Sequence, residues 1–223
     1  MPARIALLGA ESTGKTCLSH DLATHLRARG HRVAVVPEVL RHWCERAGRM
    51  PEPDEHLAIA QDQERRVDEA AHEADIVIAD TTALMVAIYG ARLQPDDTVH
   101  RFALERQRTY DLNLLTGLDL PWVDDGLHRS GPQAREAVDD LVREALARAG
   151  VGWRVVYGAG QERVLQALQA VGAVLPWAWQ EIAQEAQTER WSRLRALCEK
   201  CGDASCEHRL FTGLAEPPTA SSS

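Results

Sequence analysis

Short apolar runs alternate with longer stretches of helical periodicity along most of the chain. The runs have the length of buried strands and fall at residues 4–8, 32–36, 75–79, 110–115 and 153–157. Between them, apolar residues spaced for one helix face predict helices at 15–29, 38–47, 54–73, 81–89, 99–108, 133–149 and 161–171, with Asp54 capping the third. This alternation predicts an α/β fold with a parallel sheet of about five strands and helices on both faces.

The pattern changes near the C-terminus, so we expect three regions. Residues 1–175 form the α/β domain, and residues 176–212 hold one more helix, at about 179–197, with a cysteine-rich segment. Residues 213–223 are rich in Ser and Pro and are expected to be disordered. Inside the first region, residues 119–132 contain two Pro, two Gly and three Asp, which predicts a long loop.

The link between the first strand and the first helix reads Gly9-Ala-Glu-Ser-Thr-Gly14-Lys15-Thr16 and matches G-x-x-x-x-G-K-[ST] in full. In such a loop, glycines permit positive φ angles and the backbone N–H groups wrap nucleotide phosphates. Lys15 is predicted to reach the β- and γ-phosphates, and Thr16 to bind Mg²⁺ through its hydroxyl. The sequence therefore predicts a P-loop that binds ATP with magnesium; the alternative is a glycine-rich turn without a ligand.

The use of lysine supports this interpretation. Of 25 basic residues only two are Lys, at positions 15 and 200, so the chain keeps a lysine where a compact ammonium is required. We assign nucleotide binding to Gly9, Glu11, Ser12, Thr13, Gly14, Lys15, Thr16 and Cys17.

Two acidic residues follow other predicted strands and should share the ligand-binding edge of the sheet. Asp80 ends the third strand and is predicted to serve the metal or act as a base; it could also cap the next helix. Glu38 follows the second strand, with Arg41 one helical turn later. Glu38 could accept a proton from a substrate hydroxyl while Arg41 binds substrate, or the two could form a surface ion pair.

Residues 122–131 lie in the long loop and suggest a lid that closes over the phosphates. Arg129 is the candidate for neutralising charge on the transferred phosphoryl group. Asp124 and Asp125 could bind a substrate ribose or be solvated turn residues, and the whole segment could be an ordinary surface loop. Residues 158–161 follow the fifth strand and either adjoin the nucleotide base or form a plain turn.

Cys198, Cys201, Cys206 and His208 offer four potential metal ligands within eleven residues. A C-x-x-C followed by Gly202 is typical of a zinc knuckle, so a structural Zn²⁺ site is predicted. The alternatives are three reduced thiols beside a surface histidine, or redox use of the C-x-x-C pair.

Overall charge and hydropathy restrict the partners. The net charge of −8 argues against binding to nucleic acid, and no apolar run approaches the length of a membrane helix. Without a signal-peptide pattern, a cytoplasmic protein is expected. The expected partner is a small-molecule substrate, with self-association or a protein partner through the C-terminal tail as further options.

A family resemblance rests on four features: the P-loop, the Glu38–Arg41 pair, Asp80 and the W-V-D-D-G-L segment at 122–127. Together they resemble the ribosylnicotinamide kinase domain of NadR-type proteins and the related NadR-like AAA ATPases. The resemblance spans about residues 3–172. It implies a P-loop kinase fold and phosphorylation of a riboside at its 5′-hydroxyl with ATP and Mg²⁺. NadR-type proteins carry an adenylyltransferase domain before the kinase; only eight residues precede Gly9, so that activity is not expected.

Three functions stay open from the sequence. The first is an ATP-dependent kinase acting on a small riboside such as nicotinamide riboside. The second is a NadR-like ATPase that serves as a nucleotide-dependent switch, favoured by Thr82 where the family often has a second acidic residue and by Arg129, one place after the family's arginine. The third is a binding module whose cysteine-rich tail docks a partner.

Overall fold

The computed structural model describes residues 2–91, 97–122 and 132–175. Five strands form one parallel sheet: β1 (Ala3–Leu8), β2 (Val33–Val36), β3 (Ile76–Asp80), β4 (Leu112–Thr116) and β5 (Arg154–Val156). The α-helices are α1 (Lys15–Ala28), α2 (Val39–Ala47), α3 (His56–Ala70), α4 (Ala83–Ala91), α5 (Asp97–Gln107), α6 (Pro132–Ala149) and α7 (Gln161–Val174). Thus the predicted α/β class, strand number and helix order are confirmed.

The strand order β2-β3-β1-β4-β5 places the first strand at the centre. Leu7 of β1 pairs with Asp80 of β3 on one side and with Leu114 of β4 on the other. Because all five strands run in one direction, their carboxyl ends meet along one edge. The segments that follow β1, β2, β3 and β4 therefore converge there.

Each face of the sheet is covered by apolar packing. On one face, Leu18, Leu22 and Leu26 of α1 pack with Leu168 of α7 over the buried strand residues. The other face carries α2 to α6, with a nearly continuous apolar segment in α4. Strands that are buried on both faces explain the apolar runs in the sequence.

The start of α3 corrects one prediction. Asp54 does not cap the helix: a short 3-10 helix, Pro53–Glu55, precedes α3, and Glu52 occupies its cap position. Glu52 and Glu55 satisfy each other's backbone amides, with the Glu52 amide donating to Glu55 Oε2 at 2.7 Å. Pro53 suits the first helical position because it has no N–H to satisfy.

The helix after β3 begins two residues later than predicted, at Ala83. Thr81 has a φ of 72°, a conformation that a β-branched residue rarely adopts. The chain thus turns sharply immediately after Asp80. None of the helices within the described ranges has both the length and the apolar character to cross a membrane.

Candidate active site

The loop between β1 and α1 has the backbone of a phosphate-binding turn. Gly9 and Gly14 have φ angles of 142° and 77°, and Ser12 also has a positive φ of 54°. Lys15 Nζ folds back over the loop and donates to the carbonyl oxygens of Gly9 at 2.9 Å and Ala10 at 2.6 Å. The ammonium is therefore held at the loop where a phosphate would bind.

Thr116, the last residue of β4, contacts the loop. Thr116 Oγ1 lies 2.7 Å from Thr13 Oγ1 and 3.1 Å from the Leu8 carbonyl oxygen, and Thr13 Oγ1 donates to the Ala10 carbonyl at 2.7 Å. A Cβ at Gly9 would collide with Thr116 Oγ1. Close approach, as well as φ, thus requires glycine here.

Asp80 lies beside the first turn of α1. Thr16 Oγ1 donates to Asp80 Oδ2 at 2.6 Å, and the Asp80 residue is only 3 % exposed. Burial raises the pKa of the Asp80 carboxyl, whereas the Thr16 hydrogen bond and the charge of Lys15 act in the opposite direction. These contacts place the predicted metal-site residues together.

The donor set at this position fits a magnesium ion. Asp80 Oδ1 is buried and has no hydrogen-bond partner among the described residues. A carboxylate oxygen left without a donor is costly, and hard oxygen donors are the ligands that Mg²⁺ prefers. Thr16 and Asp80 are therefore suited to hold the metal of a bound nucleotide.

Glu38 and Arg41 complete a charged cluster. Glu38 is 5 % exposed, and Arg41 Nε donates to its Oε2 at 3.2 Å. Both charges act on the pKa of Asp80, Glu38 raising it and Arg41 lowering it, so the predicted residues share one electrostatic environment. The pair thus joins a buried carboxylate to a partly exposed guanidinium.

Two further groups of residues were missed by the sequence analysis. Buried Arg163 of α7 donates to the Thr13 carbonyl of the loop, to the Gly158 carbonyl at 2.8 Å and to Asp119 Oδ1 at 2.6 Å. Asp119 Oδ2 accepts from the Gly158 amide at 2.6 Å. This links the loop to the turns after β4 and β5, and no local pattern signals it because Thr13 and Arg163 are 150 residues apart.

The second group is on α3. Gln63 Oε1 accepts from the Val39 amide at 2.9 Å, and Glu64 Oε1 accepts from the Ala83 amide at 2.9 Å. These are the first amides of α2 and α4, the helices that follow Glu38 and Asp80. Two adjacent polar residues in an apolar helix stripe are the signal that could have found them.

Some predicted site residues lie outside the described ranges: Asp124, Asp125 and Arg129 of the candidate lid, and the zinc ligands Cys198, Cys201, Cys206 and His208. Their roles stay predictions. Gly158 and Gly160 have φ angles of 83° and 53° and precede α7 directly, so the structure shows a tight turn there.

Solved structures share the fold of this chain. The crystal structures of NadR protein in complex with NAD and AMP-PNP and of NadR protein in complex with NR have TM-scores of 0.58 and 0.59 to this chain, each at 20 % identity over 78 % of it. At this identity the likeness shows the fold alone. The match covers 49 % and 50 % of those chains, so the present chain spans about half their length.

A search of curated proteins gave no match. A model of the AAA domain family matches residues 4–163, from β1 to the beginning of α7, which is 160 of the 223 residues. The match includes the phosphate loop, Glu38, Asp80 and Arg163. The chain therefore belongs to this AAA domain family and has a NadR-like P-loop nucleotide-binding fold.

Proposed function

We propose that the protein is an ATP- and Mg²⁺-dependent kinase that transfers the γ-phosphoryl group of ATP to the hydroxyl of a small riboside, with nicotinamide riboside as the first candidate. The solved NadR structures contain an ATP analogue in one case and NR in the other, which supports this choice of donor and acceptor. Nucleotide binding is assigned to the loop and its flanks, residues 9–17.

The observation that carries the proposal is the second buried carboxylate. Asp80 and Thr16 are assigned to the nucleotide's metal. Glu38 lies on another strand end, is shielded from water and pairs with Arg41. A carboxylate in that position suits acid–base chemistry on an acceptor, which simple ATP binding does not require.

Each side chain has a distinct role in the proposed transfer. Lys15 exchanges its carbonyl partners for phosphate oxygens and stabilises charge that develops on them. Glu38 accepts the proton of the acceptor hydroxyl while the hydroxyl oxygen of the acceptor attacks the γ-phosphorus. The bond between the γ-phosphorus and the oxygen that bridges it to the β-phosphate breaks, and ADP leaves. Arg41 pairs with Glu38 and can bind the acceptor. Magnesium held by Thr16 and Asp80 would neutralise phosphate charge.

Product analysis tests the proposal. The protein is incubated with Mg-ATP and a panel of ribosides that includes nicotinamide riboside, and the products are identified by mass spectrometry. We expect a riboside monophosphate and a matching amount of ADP. The same preparation with Lys15→Ala should form neither, which excludes a contaminating kinase. ADP release without a phosphorylated riboside would contradict the kinase assignment.

A specific observation favours the second function, an ATPase that acts as a switch. Thr82 is fully buried and donates to Gln107 Oε1 at 2.7 Å, so this position contributes no acid to the site. If turnover of ATP is the same with and without every riboside tested, the switch becomes the better assignment.

A further inference from the structure

Glu38 occupies the position before α2 where a helix exposes amide groups without partners. A side chain at this cap position commonly accepts a hydrogen bond from one of those amides. The Glu38 side chain makes no such bond, and its carboxylate lies against Arg41 instead. The first amide of α2, that of Val39, is bonded by a residue of another helix.

The residue that bonds the Val39 amide is Gln63 of α3. Its Oε1 accepts from the Val39 amide at 2.9 Å, and its Nε2 donates to the Pro37 carbonyl at 3.4 Å. Gln63 thus bonds the residues on both sides of Glu38. It is 0 % exposed, so water does not compete for either bond.

The backbone at Glu38 fits this interpretation. Glu38 has φ −63° and ψ 108°, an extended conformation, and α2 begins at the next residue. A change of these angles would redirect the carboxylate, and two hydrogen bonds to its neighbours resist that change. Because Gln63 belongs to a regular helix of 15 residues, it gives Glu38 a rigid reference.

We propose that Gln63 is a positioning residue for the phosphate transfer: by bonding the Val39 amide and the Pro37 carbonyl on either side of Glu38, it fixes the direction of the Glu38 carboxylate toward the acceptor. This rests on the proposed function, in which Glu38 takes the acceptor's proton. Gln63 itself touches neither nucleotide nor acceptor in this scheme.

The test compares three variants on α3. Gln63→Met has nearly the same shape but neither hydrogen-bonding group, and Gln63→Glu keeps an oxygen that can accept from Val39. Gln61→Met is the matched control, because Gln61 is exposed on the same helix. The assays are phosphorylation of nicotinamide riboside and release of ADP from Mg-ATP without an acceptor.

We expect Gln63→Met to lower kcat for phosphorylation by about 100-fold, the effect of a misplaced catalytic group. Acceptor-free hydrolysis and the KM for ATP should stay within about twofold of wild type, and Gln61→Met should match wild type in all assays. Gln63→Glu should recover a large part of the lost rate. Glu38→Gln combined with Gln63→Met should be no slower than Glu38→Gln alone, because both changes remove the same function.

Amide hydrogen exchange gives an independent readout. The Val39 amide should exchange slowly in wild type and in Glu38→Gln, and much faster in Gln63→Met. Equal exchange in all three would overturn the inference, as would Gln63→Met activity like that of the control. Uniform loss of hydrolysis and transfer would show a purely structural role.

Failure of the proposed function can be distinguished from failure of the positioning role of Gln63. If wild type forms no phosphorylated riboside, or if Glu38→Gln phosphorylates as fast as wild type, the kinase or its base is wrong whatever Gln63 does. If Glu38→Gln is slow and Gln63→Met is not, only the positioning role is wrong.

Discussion

The phosphate loop is held by bonds among its own residues and by distant contacts from Thr116 and Arg163, whereas the backbone at Glu38 is bonded by a helix that follows it in the chain. Lys15 bonds carbonyl oxygens five and six residues away, and Thr13 bonds one three residues away. The amide beside Glu38 is bonded by a side chain 24 residues away. The bonds that Lys15 and Thr13 make inside the loop can recur wherever the motif occurs, while the contacts around Glu38 can change without disturbing them.

The strongest test of the nucleotide side is Lys15→Ala. The lysine ammonium is the compact charge aimed at phosphate, so its loss should reduce ATP-dependent turnover by about 100- to 1,000-fold. Both transfer and acceptor-free hydrolysis should fall, as measured by ADP release. The circular dichroism spectrum should match wild type, because the hydrogen bonds from Lys15 to the Gly9 and Ala10 carbonyls lie within the loop. Wild-type turnover in this variant would remove the phosphate-loop assignment.

Asp80→Asn and Glu38→Gln should separate the two sides of the site. Each change preserves shape and removes a charge. Asp80→Asn should lower hydrolysis and transfer together by about 100-fold, because it weakens the hold on the nucleotide's metal. Glu38→Gln should lower transfer by a similar factor and leave acceptor-free hydrolysis near wild type, because a general base acts only on an acceptor.

Rates with and without nicotinamide riboside measure this contrast directly. Parallel losses in both variants would mean that the two carboxylates form one functional unit. The division into a nucleotide side and an acceptor side would then be wrong.

The distinction between local and distant contacts explains which features could be predicted from the sequence. The strands and the P-loop were predictable because each depends on neighbours in sequence: an apolar run, a glycine, a lysine. Asp80 was predictable because it ends a strand whose place in a parallel sheet follows from the alternating pattern. The structure confirms the fold and brings Lys15, Thr16, Asp80 and Glu38 together as expected.

The supporting residues could not be predicted in the same way. Gln63, Glu64 and Arg163 lie on helices whose surfaces carry many other polar residues. Gln63 and Glu64 are marked in the sequence by their place in the apolar stripe of α3, but the distant partners of all three residues are not visible as a motif. The mistaken cap at Asp54 has a local cause: Glu52 and Glu55 have side chains long enough to close a reciprocal pair across Pro53.

Gly9→Ala tests how closely the phosphate loop packs against Thr116 of β4, and Gly30→Ala is the control. Both glycines have positive φ, 142° and 88°, so alanine strains the backbone at each. A Cβ at Gly30 meets nothing within 4 Å, whereas one at Gly9 collides with Thr116 Oγ1. We expect Gly30→Ala to lower the free energy of unfolding by about 1–2 kcal/mol. Gly9→Ala should lower it by about 1–3 kcal/mol more.

Urea unfolding measures this difference, and nucleotide binding should be lost only in Gly9→Ala. Equal destabilisation by the two variants would show that the loop can move away from β4. The phosphate loop would then not be packed rigidly against Thr116.

The smallest expected effect concerns Glu64 of α3, which accepts a hydrogen bond from the first amide of α4. Its Oε2 accepts from Tyr110 Oη at 3.1 Å and from Arg106 Nε at 3.3 Å. Burial raises the pKa of the Glu64 carboxyl above its ordinary value of 4.5, against the opposing effects of the Ala83 amide and Arg106. A folded state with the higher pKa binds the proton more tightly than the unfolded chain.

The stabilising contribution of that proton is therefore complete below about pH 4.5 and is lost as pH rises through the raised pKa. Glu64→Gln does not titrate, and Arg106 keeps Asp68 at 2.7 Å, so the variant leaves no unpaired cation there. We expect the stability of wild type relative to Glu64→Gln to decline between pH 4.5 and neutrality and then to level off. Urea midpoints at several pH values measure it. A constant difference would show that folding leaves the pKa of the Glu64 carboxyl unchanged, and a difference that moves in favour of wild type with rising pH would show that folding lowers that pKa.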